Sequence, residues 1–396
     1  MQFKLITAAL LLSSALIPAA FAEDGVSDTE ITIGMVNAQS GPARALGQGM
    51  REGAQAVFRD VNDRGGIHGR RIHLVVGDDG YEPDETMSET LKMAQQHHVF
   101  ALFGFVGTPT TTAALPIVRE MGLPLVGAFT GAMAFREPVN PLVYNIRPSY
   151  DDETEALVAQ LFAGGARRIS VVHQYDAFGF AVLAGTEKAL QRRGLAVAST
   201  GSFQRNRRDI QSAVKTMVDS APDAVVMAGP YRPLGAFVTA ARVAGLASQL
   251  ATVSFVGSED LLEIVGSKGS GLLISQVLPI PGESDLAIAG ECRSLLQQHA
   301  QVEISFINFE GCVSARVLVM ALERAGKALT RDGLRAALDS MTEANVGGLP
   351  MSLSSTNHQA MRKVYLTQIS GGRIVPAPDL APAGAAAAST EVTATR

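Results

Sequence analysis

Short, wholly apolar runs alternate along the chain with longer segments whose apolar residues recur at helical spacing. Residues 31–36, 72–76, 99–105 and 123–128 have the length and content of strands. Between them, residues 48–62, 83–97 and 110–121 have the period of helices. In the first of these Ala54, Val57, Phe58 and Val61 share a face, and Pro83 stands near the start of the second, where its missing N–H costs nothing. A second series repeats the alternation. It has strands at 169–173, 196–203, 224–228 and 251–256, with helices at 179–193, 209–220 and 234–244. Nearly all strand positions are apolar rather than alternately polar, so both sheet faces should be covered by helices, as in parallel, doubly wound sheets. The pattern predicts an α/β fold of two doubly wound lobes with parallel central sheets.

The two series are separated by 138–148, which holds three prolines and reads as a boundary. A helical section follows at 285–299, 311–325 and 330–340, then a last strand at 363–369. From Pro376 the chain is mostly Ala, Pro, Thr and Gly. Such a segment buries little apolar area, so 376–396 is expected to be a disordered tail. There is no short-period repeat.

The N-terminus changes the picture of compartment. Lys4 precedes an apolar run over 5–17, and Ala20-Phe21-Ala22 supplies a small-x-small cleavage pattern. Residues 1–22 are expected to be a cleaved signal peptide, with the protein starting at Glu23 in the periplasm. The run is short for a bilayer span, and no later apolar stretch reaches membrane length unbroken. The remaining length suits two domains better than one core. A formal charge of −5 argues against nucleic acid as a partner, since phosphate binding needs a basic face. The small clusters Arg167-Arg168, Arg192-Arg193 and Arg205 to Arg208 read as solvated faces. Cys292 and Cys312 are too few for a disulfide scaffold; in an oxidising compartment they pair, or else they are two buried thiols.

Candidate chemistry is mostly excluded. Gly47-Gln48-Gly49 with Gly53 follows a strand and opens a helix, but the third glycine is one residue late for a dinucleotide fingerprint. There is no phosphate loop of the ATPase type and no G-x-S-x-G elbow. His97 and His98 are adjacent and point to different helix faces, which suits no shared metal ion, so no metal or cofactor is expected. Asp78-Asp79 at a strand end read as solvated or capping carboxylates rather than an acid–base pair. In open α/β sheets ligands bind beyond the carboxyl ends of the strands. Those ends carry Ser40-Gly41-Pro42, Gly107 to Thr110, Ala128-Phe129-Thr130, Asp176 to Gly179, Gly229-Pro230-Tyr231 and Gly257-Ser258-Glu259. These are small residues, hydroxyls, aromatics and a carboxylate, without a nucleophile and base. The helix beginning near Thr108 offers free N–H groups to an anion. The inventory is one for binding rather than catalysis. Thr108, Thr130 and Glu259 are equally natural in a helix first turn, and Phe178 and Tyr231 equally natural as core.

The arrangement of these blocks resembles the leucine/isoleucine/valine-binding family, the type I periplasmic solute-binding proteins of ABC transporters, from about Glu30 to Ile374. The blocks are Ser40-Gly41-Pro42, Gly47, Gly53-Ala54, Ala56, Asp60, Asn62, Gly65-Gly66-Ile67 and Gly69. Further ones are Pro116 with Gly122-Leu123-Pro124, Asp176 to Gly179, Gly229-Pro230-Tyr231 and Thr356 to Gln359. The resemblance implies two lobes joined by three crossovers, near Arg147-Pro148, near 279–281 and shortly after His358. One lobe would hold 23–147 and 281–359, the other 148–280 and 360–375. It implies a monomer that closes over a small molecule, an amino acid or analogue, and hands it to ABC permease subunits. The same lobes suit a ligand-sensing partner of a membrane receptor, and the pocket also suits an aromatic or aliphatic carboxylate or amide. By resemblance, Thr108 holds the ligand carboxylate, the Ala128 carbonyl takes the ammonium and Thr130 adds a polar contact. Phe178 stands where the family often has a tyrosine, Tyr231 forms an aromatic wall, and Glu259 faces the ammonium. Two positions depart from the family: Pro109 removes an N–H donor, and Leu46 stands where an aromatic is common.

Overall fold

A computed structural model describes residues 23–378. The expected signal peptide, and the expected tail beyond Pro378, lie outside the described residues. The first sheet contains β1 (Glu30–Asn37), β2 (Arg71–Asp78), β3 (Ala101–Phe103), β4 (Leu125–Val126) and β5 (Val143–Tyr144). All are parallel, in the order β2-β1-β3-β4-β5. The helices α1 (Arg44–Asp63), α2 (Pro83–Gln95) and α3 (Thr108–Glu120) connect them. This is the winding expected when both sheet faces are apolar.

The chain then enters α4 (Tyr150–Ala163) and a second sheet. That sheet has β6 (Ile169–Gln174), β7 (Thr200–Phe203), β8 (Ala224–Ala228), β9 (Gln249–Thr252) and β10 (Leu273–Gln276). Its helices are α5 (Ala177–Gln191), α6 (Gln211–Ser220), α7 (Tyr231–Val243) and α8 (Ser258–Val265). It returns to the first lobe for α9 (Ala287–His299), α10 (Phe306–Ala325), α11 (Arg331–Asp339) and the hairpin β11 (Ala344–Val346) with β12 (Leu349–Met351). It finishes on the second sheet with β13 (Tyr365–Ser370) and β14 (Arg373–Pro376). The second sheet runs β14-β13-β10-β9-β8-β6-β7, and its last two strands are antiparallel. Two lobes are therefore linked by three chain passages.

Several elements lay beyond the sequence pattern. Helix α4 was not expected. Its first turn is Asp151, Asp152 and Glu153, which hides helical periodicity, yet Ser149 and Asp152 form a capping box there. Helix α8 and strands β5, β10, β11 and β12 also escaped. The strand expected at 251–256 ends at Thr252, and a 3-10 turn over Ser254–Val256 follows. The expected tail is also corrected at its start. Pro376 closes β14, the Ala377 N–H donates to the Leu366 carbonyl, and the Gln160 side chain reaches the Pro378 carbonyl.

The glycines of α1 serve packing. A Cβ on Gly47 would lie 2.0 Å from the Ala38 carbonyl oxygen, and one on Gly53 2.0 Å from that of Asn308. The Gly53 approach sets α1 directly on α10, and the near-match to a dinucleotide fingerprint serves close backbone packing, on the Ala38 turn and on α10. A disulfide joins Cys292 on α9 to Cys312 on α10, with Cα atoms 6.0 Å apart.

The first and third passages run side by side. The Asn145 N–H donates to the His358 carbonyl at 2.8 Å, and the Ala360 N–H to the Asn145 carbonyl at 2.8 Å. Buried Arg136 clamps the same region, donating to Gln359 Oε1 and to the carbonyls of Arg147 and Pro148.

Candidate functional site

The first lobe contributes the entry to α3. Gly107, with φ of 102°, turns the chain into the helix and supplies no side-chain cap. Helix geometry leaves the first-turn N–H groups of Thr108 and Thr110 without intrahelical acceptors; Pro109 has none to offer. The Thr108 hydroxyl lies 2.7 Å from that of Thr130, and both residues are buried. Thr130 follows β4, where the Ala128 carbonyl already accepts the Thr130 N–H at 2.9 Å.

The second lobe contributes rings. Asp176 caps α5 by accepting the N–H groups of Phe178 and Gly179, which fixes Phe178 at the sheet edge. The Phe178 ring lies 4.5 Å from Phe255 and 5.3 Å from Tyr150, centroid to centroid. Phe255 in turn reaches Phe129 at 5.5 Å and Tyr81 at 6.0 Å. Phe129 and Tyr81 belong to the first lobe, so the ring cluster crosses between the lobes. Tyr81, Tyr150 and Phe255 were not singled out from sequence, and Arg147 only as the mark of a crossover. Each lies beside a strand end or a lobe passage, and only that spatial placement marks it.

Tyr231 and Glu259 form a second group nearer α1 and α10. The Tyr231 hydroxyl accepts the Ala45 N–H at 3.3 Å. Glu259 Oε1 accepts the N–H of Phe306, the first residue of α10, at 2.9 Å. A Cβ on Gly257 would touch Tyr231, Leu46 and Ile307, so Leu46 is part of this apolar contact. Glu259 Oε2 is buried without a hydrogen-bond partner. Burial raises the pKa of Glu259, partly offset by the Phe306 N–H. The six residues expected from sequence therefore fall into two groups. Thr108, Ala128, Thr130 and Phe178 line one interlobe region, while Tyr231 and Glu259 bond directly across the lobes.

Further bonds hold the lobes together. Arg205 pairs with Glu82 at 2.8 Å, and Asn206 donates to the same carboxylate at 2.7 Å. At the base of the interface lies buried Arg147. Its guanidinium sits 4.4 Å over the Phe129 ring, 3.5 Å from Glu153 of the second lobe and 3.5 Å from Glu310 of the first. Glu153 also accepts bonds from Ser254 and Ser275. Glu310 has lesser support, and burial pushes its pKa up to about 7 despite Arg147. Among the described residues no cluster of His, Cys, Asp and Glu is arranged to hold a metal ion. A cavity of about 580 Å³ lined by Val277, Met351, Met361 and Tyr365 lies on the third passage, apart from all six residues.

This arrangement of two α/β lobes, helix N-termini and rings meeting at an interlobe face coincides with a match of residues 30–373 to the model of periplasmic binding proteins. The chain belongs to the periplasmic binding protein family. A Leu/Ile/Val-binding protein of Rhizobium johnstonii is 24% identical over 95% of this chain and all of its own length. A solved structure of a possible leucine/isoleucine/valine-binding protein from Rhodopirellula baltica is 31% identical, covers 91% of this chain and 99% of its own, and superposes with a TM-score of 0.85. A substrate-binding periplasmic protein from Ralstonia solanacearum is 28% identical, with 88% of this chain and all of its own covered and a TM-score of 0.82. These relatives place the periplasmic binding protein in the leucine/isoleucine/valine-binding type I group. It is a solute-binding protein and not an enzyme.

Proposed function

We propose that this protein, exported to the periplasm after loss of residues 1–22, captures an amino acid or a close carboxylate analogue between its lobes. It then delivers the ligand to an ABC permease. The observation that carries the reading is the Thr108–Thr130 hydroxyl pair at the uncapped start of α3, beside Phe129, whose ring packs on Phe255 and through it on Phe178. Two hydroxyls and free N–H groups at a helix N-terminus receive a carboxylate, and the rings receive an apolar body. The Ala128 carbonyl and Glu259 Oε2 are the acceptors for an ammonium. In this reading one lobe is 23–147 with 281–359 and the other 148–280 with 360–375, and the passages between them act as hinges. The names of the relatives favour a branched aliphatic amino acid.

A second reading is a carboxylate without an amine. It is favoured by Glu259, whose Oε1 is already engaged by the Phe306 N–H. Native mass spectrometry of protein purified from its own host identifies the co-purified ligand. Calorimetry with that ligand and with Thr108→Val then tests the site. A co-purified carboxylic acid, bound at least tenfold more weakly by the variant, is expected. A ligand without an anionic group, or one indifferent to Thr108, overturns the reading.

A further inference from the structure

Arg147 is fully buried at the base of the interlobe face, yet its donors are incompletely used. Nη2 donates to Ser254 and lies 3.5 Å from Glu153, Nε lies 3.5 Å from Glu310 without a hydrogen bond, and Nη1 has neither a hydrogen bond nor an ion pair. The hydroxyl of fully buried Tyr150 makes no hydrogen bond of ordinary geometry, although it stands beside the Thr130 hydroxyl and the Gly131 N–H. Buried polar groups are nearly always satisfied, and idle donors on a buried guanidinium are costly. Both groups border the same region. Tyr150 packs on Phe178 and on the Gly131 backbone that follows Thr130, and Arg147 lies over Phe129.

We propose that Arg147 and Tyr150 contact the ligand, and that the ligand carries an uncharged oxygen acceptor, a carbonyl or hydroxyl, on the body held by the rings. The charge balance decides between a neutral and an anionic acceptor. Two carboxylates, Glu153 and Glu310, already face the one guanidinium at 3.5 Å each. A second anionic group would bring a third carboxyl group to a guanidinium that already faces two, in a desolvated site. What Nη1 of Arg147 lacks is a hydrogen-bond acceptor, and a neutral oxygen supplies one without charge. Tyr150 donates to the same oxygen or to its neighbour. The inference rests on the reading of Thr108 and Thr130 as the carboxylate end, because that end sets the direction of the ligand body.

The test compares matched carboxylates that differ by one oxygen-bearing group: valine with threonine, leucine with asparagine, phenylalanine with tyrosine, and benzoate with 4-hydroxybenzoate. Calorimetry is run on the full protein, Tyr150→Phe and Arg147→Lys. In the unaltered protein at least one oxygen-bearing member should bind about tenfold tighter than its parent, the effect of one charge-assisted hydrogen bond. Tyr150→Phe and Arg147→Lys should narrow that preference, read as the ratio of the two affinities within each variant. Parents that bind without any preference for the oxygen overturn the inference and leave the proposed function standing. So does a Tyr150→Phe protein that loses affinity equally for both members. If none of the carboxylates binds, the carboxylate reading and this inference fall together.

Discussion

Glu259 on α8 of the second lobe accepts, at 2.9 Å, the N–H of Phe306, which opens α10 of the first lobe. A carboxylate on a helix N-terminus gains from the dipole as well as the bond, so this contact favours the closed arrangement. Glu259→Ala should therefore weaken every ligand, by on the order of tenfold for a charge-assisted bond. Calorimetry on an amino acid and its deaminated analogue separates the roles. Equal losses show a residue acting through closure. A loss confined to the amine-bearing ligand shows an ammonium contact at Oε2.

Gly107 should tolerate no side chain. Its φ is 102°, and a Cβ would stand 2.3 Å from Cε2 of buried Tyr81. Gly165, with φ of 96° and open space around it, is the matched control. Backbone strain alone costs about 1–3 kcal/mol. Gly107→Ala should therefore lower the urea midpoint further than Gly165→Ala does, and it alone should impair ligand binding.

Stability should fall as pH rises through neutrality. Burial holds the Glu310 pKa at about 7, above its ordinary 4.5. The folded state thus keeps a proton that the unfolded chain has released. The contribution is complete below about 4.5 and lost as pH climbs through about 7. Asp79, raised by burial to about 6, acts with the same sign. Thermal melting between pH 5 and 8 should show this decline, and Glu310→Gln should make it shallower. A slope unchanged by Glu310→Gln counts against the assignment.

Reducing Cys292–Cys312 should cost about 3 kcal/mol for a closed loop of this size in the chain-entropy model. Urea titration with and without a reductant measures it. Helix α10 also carries Phe306, whose N–H donates to Glu259 across the lobes. Reduction should therefore also lower ligand affinity, by severalfold, and free thiols in the unreduced protein would contradict the pairing.

Lobe closure has its own check. Arg205→Ala removes the pairing with Glu82 across the lobes at 2.8 Å. Such a part-exposed pair contributes about 0.2–1 kcal/mol. The variant should thus populate the open form more, and small-angle scattering without ligand should show a slightly larger radius of gyration.

The sequence by itself determined the α/β alternation, because strands covered on both faces must be apolar throughout and helices with one covered face must repeat at 3.6 residues. It also gathered candidate blocks at the strand ends, where binding groups collect in parallel sheets, and the family resemblance singled out Thr108, Ala128, Thr130, Phe178, Tyr231 and Glu259 among them. Helix α4 escaped because its acidic first turn masks its period, and its buried Glu153 takes hydrogen bonds from Ser254 and Ser275, which are distant in sequence, as well as the charge of Arg147. Strand β10 is four residues long and gains its identity from pairing with β9 and β13. Tertiary structure alone decided that Glu259 meets Phe306, that Arg147 lies between two glutamates, and that Tyr81, Phe129, Phe178 and Phe255 form one ring cluster. Those contacts join the two lobes, and local periodicity carries no information about which helix end faces which residue once two separately folded sheets come together.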